Sequence, residues 1–121
     1  MKKILIVDDD AGIRELVDVT LRSDDYHIFQ AENGEQAIEL ARAEKPDLII
    51  MDITMPGGID GLEATRILKN DLETKNCQII MLTGSSKETE REKSLEAGAD
   101  DYFTKPFSPL ALIKKVEEMV G

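Results

Sequence analysis

Three stretches of the chain are apolar without a break: ILIV (4–7), LIIM (48–51) and IIML (79–82). A strand with one face in water alternates apolar and polar residues. Unbroken apolarity therefore means burial on both faces, as in a parallel sheet covered by helices. HIFQA (27–31) and DYFTK (101–105) are weaker runs and suit the edges of a sheet. Helical spacing fills the intervals. Ile13, Leu16, Val17 and Leu21 mark one helix, Ala37, Leu40 and Ala41 a second that ends before Pro46, and Leu62, Thr65, Ile67 and Leu68 a third. GSSKETEREKSLEAG (84–98) reads as a polar, charged helix stopped by a glycine. In the last segment Ser108 can cap, Pro109 sits at the first helical position, and Leu112, Ile113, Val116 and Met119 form the buried stripe.

The resulting order is βαβαβαβαβα, an α/β chain. Strand–helix alternation with short connections requires right-handed crossovers and a doubly wound parallel sheet. Five strands in the flavodoxin-like order 2-1-3-4-5, with five helices, is the simplest arrangement that buries the three most apolar strands centrally. No linker or repeat interrupts the chain, so residues 1–121 are expected to form one domain, with no output domain in this chain.

Ligands in such sheets bind beyond the carboxyl ends of the strands, at the switch point beside the first strand. ILIV is followed by Asp8, Asp9 and Asp10, and LIIM by Asp52. IIML is followed by Thr83, Gly84 and Ser85, and DYFT by Lys105 and Pro106. The fold brings these groups to one rim although their spacing along the chain is unrelated. Asp10 has a second task, because AGIREL follows it directly and places it as a helix N-cap. Thr83, Ser85 and Ser86 are candidate caps for the fourth helix.

Composition narrows the function classes. Asp and Glu outnumber Lys and Arg by 25 to 15, a net charge of −10. A field of that sign opposes direct binding to nucleic acid or to an anionic membrane surface. Cys77 is the single cysteine, so no disulfide forms within the chain, and a buried free thiol suits a reducing compartment. The apolar run after Lys2 and Lys3 is too short for a signal peptide, and none is long enough to span a bilayer. The cytoplasm is the expected location. With His27 the single histidine, and placed away from the rim, zinc sites and Ser-His or Cys-His catalytic pairs are excluded.

The rim is chemically coherent. Several carboxylates converging on one spot stay ionised only beside a cation, and hard oxygen ligands with room for water suit Mg²⁺, or Mn²⁺ in its place. A lysine and a hydroxyl beside them suit a phosphoryl group. A carboxylate can attack phosphorus and become an aspartyl phosphate.

ILIVDDD, MDITMP, MLTG and DYFTKPF, in this order and at these distances, resemble the receiver domain of two-component response regulators, and the likeness covers the chain from Lys3 to the last helix. The resemblance implies that Asp52 accepts the phosphoryl group. It implies that Asp9 binds Mg²⁺ directly, that Asp8 holds it through water, and that Thr54 lends its backbone carbonyl. Thr83 and Tyr102 would be the switch residues, and Lys105 would bind a phosphoryl oxygen before a cis bond to Pro106. Thr54 and Ser85 would tune how long the phosphoryl group lasts.

The implied partners are a histidine kinase or histidine phosphotransfer protein upstream and a protein target or fused output domain downstream. The implied signalling face is helix 4, strand 5 and helix 5. A phosphorylation-dependent homodimer through that face would use Arg91, Asp100, Asp101 and Lys115. Such a domain catalyses its own phosphorylation and dephosphorylation without turning over a small-molecule substrate. One departure stands out: MPGGIDG carries an extra glycine at Gly57–Gly58, which predicts a longer, more flexible loop after the third strand.

Two rivals fit less well. A Mg²⁺-dependent aspartyl-nucleophile phosphatase carries a second Asp two residues after its nucleophile, where this chain has Thr54. A flavodoxin-type FMN module would have to seat a phosphate against Asp8, Asp9 and Asp10.

Overall fold

The computed structural model describes residues 1–55, 57–84 and 88–121, with Glu88 described by its backbone. Strands and helices alternate along the whole chain: β1 (Lys2–Val7), α1 (Ala11–Leu21), β2 (Tyr26–Ala31), α2 (Gly34–Glu44), β3 (Leu48–Asp52), α3 (Gly61–Lys69), β4 (Gln78–Thr83), α4 (Glu88–Glu96), β5 (Asp101–Thr104) and α5 (Pro109–Val120). The strands form one parallel sheet in the order β2-β1-β3-β4-β5, the order expected from the apolar runs.

Alternation along each strand divides the apolar runs between two cores. Leu5, Val7, Ile49, Met51, Ile79 and Met81 face one way and pack against Ala37, Ile38 and Ala41 of α2 and Ala64 and Leu68 of α3. Ile4, Ile6, Leu48, Ile50, Ile80 and Leu82 face the other way and pack against Val17 and Leu21 of α1 and Leu112, Val116 and Val120 of α5. Each such aliphatic side chain contributes about 1.5–3 kcal/mol by leaving water. A slip of one residue in any central strand would exchange its two apolar sets, so the register is strongly specified.

The helix ends follow local chemistry. Asp10, Asn33, Asp60 and Ser108 each cap a helix with a side-chain oxygen that accepts a backbone N–H. In α1, Val17 and Leu21 are buried, half-buried Ile13 extends their row at a spacing of four, and Leu16 falls to one side at 48% exposure. α4 is the polar helix expected: among its described side chains only Ser94 is fully buried, while Leu95, its lone large apolar residue, is 43% exposed. The polar pattern of 84–98 thus yields a helix with almost no apolar anchorage. It ends as expected, with Gly98 at φ 106°, a left-handed conformation that glycine adopts without strain.

Candidate functional site

The site is assembled by register. Val7 of β1 pairs with Met51 of β3, so the residues that follow them, Asp8 and Asp52, emerge side by side. Asp52 pairs with Leu82, and Thr83 with Thr104, which brings Thr83 and Lys105 to the same rim. The Lys105 backbone N–H donates to the Thr83 carbonyl at 2.7 Å, closing the row.

The three consecutive aspartates have separate fates. Asp8 is 1% exposed, and its Oδ1 accepts the Asp10 N–H at 2.9 Å, which turns the chain out of β1. Asp10 faces the helix it caps, accepting from the N–H groups of Gly12 and Ile13 at 2.8 and 3.3 Å. Asp9 is exposed at the mouth. Asp8, Asp9 and Asp52 each offer a carboxylate oxygen, and these oxygens lie within 4.8 Å of one another. An ion with bonds of about 2.1 Å separates opposite ligands by about 4 Å, so the set fits a small hard cation with little adjustment and with water reaching it past Asp9.

Lys105 supplies the positive charge inside the cluster. Its Nζ donates to Asp8 Oδ2 at 3.0 Å and to Asp52 Oδ1 at 3.2 Å. Burial alone would lower its pKa. The Asp8 hydrogen bond and the charges of Asp52 and Asp8 outweigh burial, and the ammonium is held above its usual value. Asp52 behaves differently. It is 5% exposed, and burial, reinforced by the Asp8 carboxylate, raises its pKa to about 6 in spite of Lys105. A buried carboxylate that is easily reprotonated is one that gains most from an added cation.

The other residues singled out in the sequence fall around this centre. Thr83 is 2% exposed, and its hydroxyl donates to Oε2 of Glu90 on α4 at 3.1 Å. Thr54 is exposed two residues beyond Asp52. Tyr102 on β5 pairs with Met81 of β4 and packs half-buried against the core beneath α2 and α3. The Lys105–Pro106 bond is cis. His27 stacks on Phe29 with ring centroids 4.4 Å apart, on the edge strand β2. Ser85, Ser86 and Pro56 lie outside the described residues.

The segment with the extra glycine meets α2 at Ile59. The Ile59 N–H donates to Glu35 Oε1 of α2 at 2.9 Å, and Gly34 packs so close that a Cβ there would sit 2.6 Å from the Ile59 carbonyl oxygen. Further on, Gly61 N–H donates to the Ile53 carbonyl at 2.9 Å. A Cβ on Gly61 would overlap the carbonyl oxygen of Asp52 itself. Two contacts had no signal in the sequence: Glu90 on Thr83, and Arg14, whose Nη1 donates to the Asp8 carbonyl at 2.7 Å. Asp100 and Asp101 are paired within the chain, with Lys69 and Lys115 respectively, each at 2.9 Å.

Comparison with known proteins gives one answer. Residues 4–117 match the model of the response regulator receiver domain. The phosphate regulon transcriptional regulatory protein PhoB of Pseudomonas aeruginosa is 45% identical over 119 residues, covering 98% of this chain and 52% of PhoB. The chain thus spans about half the length of the curated relatives it matches. Among solved structures, the chemotaxis protein CheY4 of Vibrio cholerae superposes with a TM-score of 0.91 at 31% identity, covering 99% of both chains. The receiver domain of the sensor histidine kinase PA1611 from Pseudomonas aeruginosa, solved with a magnesium ion coordinated in its active-site cleft, gives 0.89 at 32% identity, covering 99% of this chain and 98% of its own. Motif order, strand order and family match agree over nearly the whole length, and the chain belongs to the response regulator receiver domains of two-component signalling.

Proposed function

We propose that the chain is a phosphorylation-controlled switch whose phosphoacceptor is Asp52. The observation that carries this reading is the Lys105 ammonium held between Asp52 and Asp8 at the carboxyl end of the sheet. A carboxylate oxygen of Asp52 attacks the phosphorus of a phosphohistidine on a histidine kinase or phosphotransfer protein. The O–P bond forms, the N–P bond breaks, and the imidazole leaves with a proton from solvent. Lys105 takes up charge on the transferred oxygens, and the Thr83 hydroxyl donates to one of them. Attack by water later releases inorganic phosphate and restores Asp52.

Asp8, Asp9, Asp52 and the Thr54 carbonyl would hold Mg²⁺ or Mn²⁺. When bound, the ion screens the repulsion between the attacking carboxylate and the anionic donor. The magnesium in the PA1611 receiver domain supports this assignment. So does the Asp8, Asp9 and Asp52 oxygen cluster.

Phosphorylation adds about −1.5 to −2 of charge at one rim, the general figure for a phosphoryl group on a side chain. Thr83 and Tyr102 convert it into a change of the α4, β5 and α5 face, which meets a downstream protein or a fused output domain. The relative PhoB is named a transcriptional regulatory protein, which supports an output at that level. The same face would join two phosphorylated copies through Arg91, Asp100, Asp101 and Lys115. The intrachain pairs of Asp100 and Asp101 exchange partners in that event. The phosphatase alternative lacks its general acid, because Thr54 stands in that place.

Intact-mass analysis after incubation with a small acyl phosphate tests the reading. One added phosphoryl group that requires both Mg²⁺ and Asp52 is the expected result. An adduct that survives Asp52→Asn, or none at all with a beryllofluoride control also failing to bind, sinks it.

A further inference from the structure

Thr83 reaches the site from the end of β4, yet its hydroxyl proton points at a carboxylate on α4, Glu90 Oε2, 3.1 Å away. The hydroxyl carries one donatable proton. A carboxylate and a phosphoryl group on Asp52 both offer acceptors. Thr83 therefore cannot satisfy Glu90 and the phosphoryl group with the same proton. Glu90 is well placed to compete. Its main-chain carbonyl accepts the hydroxyl of Ser94 at 2.9 Å, and Ser94 is fully buried, so the turn that carries Glu90 is anchored from beneath. Leu95, the large apolar residue of α4, is 43% exposed, so the helix takes little hydrophobic anchorage from the core.

We propose that Glu90 is a positioning residue for the phosphoryl-transfer site. It retains the Thr83 hydroxyl in the unphosphorylated arrangement and yields it when Asp52 is phosphorylated. This rests on the reading of Asp52 as phosphoacceptor. Surrender of the proton removes a tie between α4 and the sheet, so the bond is both a brake on switching and the link through which switching reaches α4. The carboxylate also repels an incoming phosphoryl dianion, but that effect does not depend on Thr83, and the two contributions separate by experiment.

Beryllofluoride binding with saturating Mg²⁺ is measured by titration calorimetry for the wild type, Glu90→Ala, Thr83→Ala and the double variant. Loss of a charge-assisted acceptor predicts that Glu90→Ala binds about fivefold to tenfold more tightly than wild type. In the Thr83→Ala background the same substitution is expected to change affinity by less than about twofold, the residue of simple charge repulsion. Glu90→Gln keeps an acceptor oxygen and the chain length, and its gain is expected to be intermediate. It also carries the test if Glu90→Ala does not melt cooperatively.

An unchanged or weaker Kd in both Glu90 variants overturns the proposal. A gain of equal size with and without Thr83 overturns it as well, because Glu90 would then act through charge alone. If the wild type itself binds no beryllofluoride, the phosphoacceptor reading falls first and this one with it. Binding by the wild type with no Glu90 effect removes only the present proposal.

Discussion

Burial and the neighbouring Asp8 carboxylate raise the pKa of Asp52, Lys105 lowers it, and burial prevails. Its pKa of about 6 stands above the ordinary 3.8. Between those values the folded protein binds a proton more readily than the unfolded chain, so stability falls as pH rises through this window. The full shift corresponds to about 2–3 kcal/mol for the metal-free protein. Urea melts at pH 4 to 7, wild type beside Asp52→Asn, read this directly. The wild type is expected to lose stability toward pH 7 relative to the variant, and saturating Mg²⁺ to flatten the difference. A pH-independent difference without metal would contradict the assignment. At this scale the sequence was readable where a polar residue follows a strand's run: Asp8, Asp9, Asp52, Thr83 and Lys105 do so, and the structure brings them to one rim. Glu90 follows no such run. It is one of several carboxylates in ETERE, and nothing but the folded path of α4 separates it from its neighbours.

Elements differ in how firmly they are held. α5 buries Leu112, Val116 and Val120, whereas α4 offers the core Ser94. Regions with few buried apolar contacts open at lower free energy than the core. Native-state hydrogen exchange is expected to show α4 amides opening at free energies several kcal/mol below those of α5. Equal protection of the two helices would mean that α4 is not the mobile element of the switch. The same contrast explains which elements were legible. Three unbroken apolar runs announced the central strands, and an amphipathic stripe announced α5. The exposure of Leu16 was not legible, because a helix packed across a sheet can bury a narrow row of residues four apart, and spacing does not say on which side of that row a further leucine falls. The contact of Gly34 and Glu35 with Ile59 has no local signal, because the two sides lie more than twenty residues apart.

For the whole molecule, a net charge of −10 sets the terms of association. Two copies repel, and phosphorylation adds to the repulsion. A dimer through the α4, β5 and α5 face therefore depends on short-range pairs and on exposed apolar residues such as Leu95 and Leu110. Salt screens the long-range term with a Debye length of about 8 Å at 0.15 M. Light scattering of the beryllofluoride-loaded protein is expected to report a dimer that strengthens between low and physiological salt and weakens in Lys115→Ala. A monomer at every salt concentration would remove the dimer.

Gly61 offers no reacting group, yet the first turn of α3 lies against the carbonyl of Asp52 where no side chain fits. In a screen of random variants for signalling, this position would behave like a member of the reacting set. Its intolerance would come from the space it leaves empty.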